Sequence, residues 1–347
     1  MTTTLYRPAP ILEPGGLRLD RRAHHSASAS RLRKGQTLRV EDHYPSGVKV
    51  LRALVGALRP PLDTADHSAK QAYREAYRAS AWRLLAPVER GRIALADAPE
   101  IGFLSELYGD LDRFWLPYPE LRSLAYAWSQ YAPGVPMTVL GHSLHPFYGT
   151  YLPQRTLHLE LFATWLSRWA GAKDRAVDVG TGSGVLALML ARAGFAHVLA
   201  TDINPNACES VRREVARRPE PPPVEVHQGD LLTGVPPADL IVFNPPWTFG
   251  RVDNLLDRAL HYDDDLFERF FDQAHAGLRT GGRVVLVFSN VIRLVQPDVP
   301  HPVEAELERG RFRKVDVLSR RVKPQRGQPK PARRTRERVE VWELAAT

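Results

Sequence analysis

Two short stretches hold residues whose types and spacing can do chemistry together. Val177-Asp178-Val179 runs into Gly180-Thr181-Gly182-Ser183-Gly184, and further along the apolar run Leu240-Ile241-Val242-Phe243 ends in Asn244-Pro245-Pro246-Trp247. Such an apolar run reads as a buried strand of a parallel sheet. A glycine-rich turn after a strand lets a ligand approach the backbone, because no Cβ stands in the way. The Asn244 side-chain oxygen and the Pro245 carbonyl are hydrogen-bond acceptors. Two successive prolines stiffen the backbone and remove competing donors, and Trp247 supplies a flat face. A corner of this kind suits a planar NH2 group, whose lone pair is delocalised and poorly nucleophilic. It accepts both hydrogens, orients the nitrogen and disperses the positive charge that grows during attack. No general base is needed beforehand, since the cationic product nitrogen sheds its proton afterwards. In-line positioning does the rest.

The turn itself has three readings. A phosphate-binding P-loop needs Gly-Lys-Ser/Thr, whereas Gly184 is followed by Val185 and Leu186, which excludes it. A dinucleotide fingerprint needs Gly or Ala three residues after Gly182, where Val185 stands; that weakens this reading. The third is S-adenosylmethionine, with adenosine and amino acid lying against the turn. Two acidic residues at following strand ends support it. Asp202 lies 22 residues after Gly180, where a carboxylate can accept both ribose hydroxyls. Asp230, in His227-Gln228-Gly229-Asp230, is placed to accept from an adenine amino group. Asp178 would face the cofactor amino group or hold the turn. The expected cofactor-binding set is therefore Asp178, Gly180, Thr181, Gly182, Gly184, Asp202 with its neighbour Ile203, Asp230 with its neighbour Leu231, and Asn244.

These residues need a frame, and the chain changes rhythm to provide one. Residues 1–40 contain Pro8, Pro10, Pro14, Gly15, Gly16 and the run His25-Ser26-Ala27-Ser28-Ala29-Ser30, which predicts a loose arm. Residues 41–135 read as a mainly helical domain: Val48, Leu51, Leu54, Val55 and Leu58 share a helix face, as do Tyr73, Tyr77, Trp82 and Leu85. Residues 136–155 form a linker or lid, with Tyr151 a substrate-side candidate. From 156 to 347 strands and helices alternate, as in a doubly wound α/β domain. Its strands are expected at 176–179, 197–201, 224–227, 240–243, 283–288, 314–318 and 339–344. Pro324, Gly327, Pro329 and Pro331 make the basic stretch 320–338 a loop.

Composition narrows the class. With 44% hydrophobic and 25% charged residues, the chain has the balance of a soluble globular protein. It has no apolar run long enough to span a membrane and no secretory signal at its start, so the cytoplasm is the default location. One cysteine, Cys208, rules out an internal disulfide framework and a multi-cysteine metal site; Cys208 itself reads as a small core residue. His142 and His145 lack further ligands, so no metal is expected. Asp263-Asp264-Asp265 reads as a helix cap, and Ser289-Asn290 borders the acceptor side. The formal charge of +8 is concentrated: residues 311–338 hold twelve Lys or Arg against Asp316 and Glu337, leaving the rest of the chain at −2. Such an element suits an acidic partner.

With these motifs in order, residues 150–347 resemble a class I methyltransferase of the small-domain group. That group includes HemK-type release-factor glutamine methyltransferases and several RNA guanine and adenine methyltransferases. The resemblance implies a Rossmann-like, doubly wound seven-stranded sheet beside the helical N-terminal domain, with S-adenosyl-L-methionine as cofactor and S-adenosyl-L-homocysteine as product. It places acceptor chemistry at Asn244, Pro245 and Trp247, with Pro246, Trp247 and Tyr151 contacting the substrate. Trp247 stands where release-factor enzymes carry Tyr, which points away from a glutamine in a release factor. The reading is an N-methyltransferase acting on a nucleic-acid base, in particular RNA, given the basic stretch. Alternatives are a protein amide or side chain, a small natural product, or a non-catalytic subunit that binds RNA or a partner enzyme.

Overall fold

The computed structural model describes residues 4–19, 22, 24–59, 67–153, 155–250, 261–263, 265–323 and 335–347. The chain divides into two compact units, Arg7–Ala132, and Pro133–Thr347 together with the stretch ending at Tyr6.

The larger unit is built on a seven-stranded sheet. Its strands are β1 (Arg175–Val179), β2 (His197–Asp202), β3 (Val224–Gln228), β4 (Ala238–Phe243), β5 (Leu278–Ser289), β6 (Phe312–Arg321) and β7 (Arg338–Ala346). They lie in the order β3-β2-β1-β4-β5-β7-β6. Neighbours are parallel from β3 to β5, while β7 runs antiparallel to both β5 and β6. Strand order, not chain direction, reverses between β1 and β4, the switch point at which open α/β sheets bind ligands.

Both faces of the central strands β1, β4 and β5 are buried, which is why they read as continuous apolar runs. Leu240 and Val242 of β4 join one core cluster, and Ile241 and Phe243 join the other. The first cluster takes in α1 (Leu157–Leu166), α2 (Val185–Arg192) and α3 (Pro205–Ala216) through Phe162, Leu190 and Val211. The second takes in α4 (Leu266–Gly277), α5 (Val291–Val295) and α6 (Pro302–Arg309) through Phe270, Ile292 and Val303. The seven strands and first four helices match the alternation expected from sequence. The short α5 and α6 were not anticipated, and β6 is longer than expected. Residues 320–321 and 338 of the expected basic loop are therefore strand, and 324–334 lie outside the described residues.

The stretch 136–155, expected as a linker or lid, is part of this unit. Val135–Met137 pairs with His142–Leu144, and the chain then follows α3 to Tyr151. Buried polar side chains on α3 hold it there through its backbone. Glu214 accepts from His145 N (3.2 Å), Ser210 accepts from Phe147 N (3.0 Å), and Asn206 donates to the Tyr148 carbonyl (2.8 Å). Asn204, the N-cap, donates to the Gly149 carbonyl (2.9 Å). Asn206 also accepts from Tyr6 N (2.7 Å) and donates to Tyr6 O (2.8 Å).

The smaller unit departs from the helical expectation. Helices are present at Tyr44–Leu58, His67–Ala81, Phe103–Leu107 and Tyr118–Tyr131, but they accompany a five-stranded sheet. Its strands are Leu17–Leu19, Leu38–Val40, Leu84–Glu89, Arg92–Ile93 and Arg113–Pro117. The supposed arm contributes Leu17–Leu19 and the helix His25–Arg33, whose Ala29 and Leu32 are buried. Three-residue strands are too short to show periodicity, and Pro87 within Leu84–Glu89 argues against a strand by the usual rule. Leu85, assigned to a helix face from its spacing, lies in this strand.

Asn206 is fully buried and its side chain serves three backbone groups. Replacing it by Ala leaves them unpaired, so Asn206→Ala should destabilise the protein by about 2–4 kcal/mol. Thermal unfolding should shift downward by about 5–15 °C. A loss below about 1 kcal/mol would show that the 145–150 segment does not depend on this residue.

Candidate active site at the carboxyl ends of the parallel strands

Strand register sets the geometry. Val179 of β1 pairs with Thr201 of β2 and with Phe243 of β4. The residues one step further along, Gly180, Asp202 and Asn244, therefore stand level at three adjacent strand ends. With about 4.8 Å between strands, the glycine turn is flanked by the Asp202 carboxylate on one side and the Asn244 corner on the other. All three line a single cavity of about 390 Å³. Of the residues expected from sequence, Asp178, Gly180, Thr181, Gly182, Ile203, Asp230, Leu231, Pro245, Pro246, Trp247 and Tyr151 also line it. Gly184 does not; it starts α2 and sits against Val211.

The turn needs its glycines for a reason beyond ligand approach. Gly180, Gly182 and Gly184 have φ of +60°, +53° and +80°, a region that L residues enter at a cost. A Cβ on Gly180 would come 3.2 Å from the Phe243 ring, and one on Gly182 would come 3.2 Å from the Tyr151 carbonyl. Two carboxylates hold the turn. Asp178 accepts from Thr181 Oγ1 (2.7 Å) and from Ala187 N in the first turn of α2 (2.9 Å). Asp202 accepts from Gly182 N (2.9 Å) through one oxygen and from Asn204 N (2.9 Å) through the other. Of the two roles open to Asp178, the bonded one is holding the turn. Burial pushes its carboxyl up to about 7, against the pull of the Thr181 and Ala187 hydrogen bonds. Burial also raises Asp202, opposed by the backbone N–H groups of Asn204, Gly182 and Ile203.

Asp230 has a partner that sequence could not show: Arg269 of α4 donates to its Oδ2. Next to it, Leu231 is buried with φ +54°, an uncommon conformation for a bulky residue. Its carbonyl accepts from Thr201 Oγ1 (2.9 Å), and the following Leu232 N is held by Gln273 (2.8 Å). The corner is equally constrained. Trp247 Nε1 donates to Asn244 Oδ1 and to the Val287 carbonyl, both at 3.3 Å. The His158 ring packs edge-on against it, with centroids 5.3 Å apart. Trp247 is thus a fixed wall rather than a free stacking plate, and one acceptor site of the Asn244 oxygen is in use.

Ionisable residues lining the cavity are Asp178, Asp202, Asp230, Asp263, His261, Tyr151 and Tyr262, with no Lys or Arg among the described residues. Asp263 and His261 were not singled out as site residues, because nothing in their local spacing separates them from cap and turn residues. Asp263 lines the cavity instead of capping. Asp265 takes the cap position of α4 without a capping bond and pairs with Arg269 (3.0 Å); Asp264 lies outside the described residues. Asn290 bonds Arg336 and Arg338 of the sheet edge, while Val291 and Val295 line the cavity. Cys208 is buried in α3, as expected.

The raised Asp178 carboxyl makes stability pH-dependent. It holds its proton in the folded state below about 7, against an unfolded value of about 3.9. The stabilisation is therefore present at low pH and is lost as pH rises through 7. Asp178→Asn keeps an oxygen for Thr181 and Ala187 without a charge to bury. Between about pH 5.5 and 8 the variant should gain about 2 kcal/mol relative to the parent, read by thermal unfolding at each pH. Parallel pH profiles would contradict a titrating Asp178.

Residues 159–312 match the family described as Methyltransferase small domain. Among curated proteins, a tRNA1(Val) (adenine(37)-N6)-methyltransferase of Parabacteroides distasonis is 39% identical over 131 residues, covering 35% of this chain and 55% of the relative. A second, from Aeromonas salmonicida, is 37% identical over 99 residues, covering 27% and 42%. A ribosomal protein L11 methyltransferase of an Exiguobacterium species is 35% identical over 112 residues, covering 32% and 31%. The chain thus spans about half, or less, of the length of these relatives. A solved ribosomal protein L11 methylase from Lactobacillus delbrueckii superposes with a TM-score of 0.40 at 20% identity, covering 57% of this chain and 81% of that one. A β3-β2-β1-β4-β5-β7-β6 sheet, a glycine turn after its first strand and a matched family segment agree: residues 159–312 carry the pattern of the methyltransferase small-domain family.

Proposed function

We propose that this chain is an S-adenosylmethionine-dependent N-methyltransferase whose acceptor is a planar exocyclic amine of an RNA base. The observation that carries the reading is the shared cavity: the glycine turn, Asp202 and the Asn244-Pro245-Pro246-Trp247 corner all line it. The cavity fits this donor, which carries sulfonium and ammonium charges, because among the described residues the charged side chains lining it are carboxylates. Asp202 would hold the ribose. Each of its oxygens accepts one backbone N–H and, as a carboxylate, can accept again. Asp178, Gly180, Gly182 and Asp230 would line the remainder of the donor site. When bound, S-adenosylmethionine supplies the methyl group, and the electron pair of the broken C–S bond stays on sulfur.

The chain's own residues supply position. Asn244 Oδ1 has one acceptor site left after Trp247, and the Pro245 carbonyl provides another. Together they can take both hydrogens of an NH2 group and turn its nitrogen towards the methyl carbon. Pro245 and Pro246 offer no N–H that could compete. The fixed Trp247 ring bounds the slot, and the proton leaves after transfer. An RNA base is favoured over an sp³ amine, because a corner made of acceptors suits a planar NH2. The tRNA adenine-N6 relatives and the charge excess in residues 311–338 support the same class. The L11 methyltransferase relatives favour a second reading, a protein amine or amide.

Two substitutions separate the halves of the site. Asn244→Ala should lower turnover about 10²–10³-fold, by analogy with loss of a positioned polar group, with donor affinity by calorimetry nearly unchanged. Asp202→Asn should weaken donor binding by about 1.5–3 kcal/mol, the range for a hydrogen bond to a charged group. Labelled donor should mark the RNA fraction of extract from a strain lacking the gene. Labelling should weaken steeply with salt if phosphates are contacted. Label confined to protein would replace the acceptor class, and no label in any fraction would end the transferase reading.

A further inference from the structure

Beyond the Asn244 corner the chain continues into Thr248–Phe249, which pairs in parallel with His261–Tyr262, Thr248 opposite His261. This small element is anchored. Gln296 accepts from Phe249 N (3.1 Å) and donates to Phe249 O (3.0 Å), and Gly250 N donates to Tyr262 O (3.1 Å). The His261 ring lies over Gly250, 3.1 Å from where a Cβ would stand, so a side chain there would displace it. Its Nδ1 is hydrogen-bonded to Thr248 Oγ1 at 3.0 Å. Its other nitrogen, Nε2, has no partner among the described residues, and His261 is one of the residues lining the cavity.

We propose that His261, oriented by Thr248, is an acceptor-recognition residue, its Nε2–H donating to the hydrogen-bond acceptor next to the amine being methylated. The inference rests on the N-methyltransferase reading. A planar amine of a base or amide has an acceptor on the same carbon: a ring nitrogen in adenine or cytosine, the carbonyl oxygen in an amide. The Asn244 oxygen and Pro245 carbonyl serve only the NH2 hydrogens. Among the described residues every charged side chain on the cavity wall is a carboxylate, which repels that neighbouring atom. Gripping both atoms takes a donor beside the corner. The Trp247 N–H is already used by Asn244 and Val287, and the Thr248 hydroxyl is engaged with His261. Tyr151 and Tyr262 also line the cavity and carry hydroxyls, the latter with no partner among the described residues; the histidine is the donor held by the side chain next to the corner. In the tautomer the proposal requires, Thr248 donates to Nδ1 and the ring hydrogen sits on Nε2.

The test uses the full chain, labelled S-adenosylmethionine and the RNA, protein and small-molecule fractions of extract from a strain lacking the gene. His261→Ala should lower kcat/KM on the labelled fraction about 10- to 100-fold, chiefly through KM. Donor affinity by calorimetry should stay within about twofold. His261→Gln, which keeps an N–H, should recover part of the loss, and Thr248→Val should fall between the parent and His261→Ala. Unchanged kcat/KM in His261→Ala, a parallel loss of donor affinity, or no recovery with Gln would overturn the assignment and leave a wall residue. Label in protein instead of RNA would overturn the RNA acceptor alone, with His261 judged by the same ratios on that fraction. No label from the parent protein would remove both.

Discussion

The site depends on strand register. Because Val179 sits opposite both Thr201 and Phe243, three functions encoded far apart in sequence emerge level at the switch point. A slip of one residue in β2 or β4 would turn Asp202 or Asn244 towards the opposite face. It would also exchange the two core sets, putting Val242 where Phe243 belongs. The core therefore enforces the register, and the register places the chemistry. Residues with no chemical role, such as Ile241 and Leu240, are the ones that hold donor and acceptor sites together.

A second tier of buried polar groups does for the loops what register does for the strands. Asp178 ties β1, its turn and the start of α2. Asn206, Ser210 and Glu214 repeat every four residues along the buried side of α3 and fasten the segment leading to Tyr151. Its carbonyl then lies over Gly182. These interactions bear a burial cost that only satisfied hydrogen bonds offset. For Asp178 the offset is partial, since burial still outweighs its bonds. The turn is held firmly by a carboxylate poised near neutrality, and a cation close to it would favour the charged form.

What was legible in sequence follows from this arrangement. The β1–turn–α2 unit was readable because positive φ demands glycine at 180, 182 and 184 and leaves a pattern. The buried strands were readable because two covered faces leave unbroken apolar runs such as Leu240–Phe243. The small sheet of the first unit was not, since Leu17–Leu19 spans three residues and Pro87 masks Leu84–Glu89. Tertiary pairings were equally silent: nothing near Asp230 announces Arg269, and nothing near Thr248 announces His261. The polar series Asn206, Ser210, Glu214 was a signal available but unread. Polar residues at helical spacing on a buried face mean a neighbouring backbone in need of partners.

Charge adds a constraint on how an RNA acceptor would engage. The cavity wall carries four aspartates and no cation among the described residues, so among those residues a phosphate finds no counter-ion. Burying one uncompensated there would be costly. The basic excess lies in residues 311–338, away in sequence from every lining residue. The two requirements can be met only if the base enters alone while its phosphates stay outside. A base inside a duplex cannot do that without leaving the stack, at a few kcal/mol, whereas an unpaired base in a loop gives up less. On the proposed function, then, the four aspartates of the lining favour unpaired bases, and the acceptor corner needs to recognise only the edge of the base that arrives.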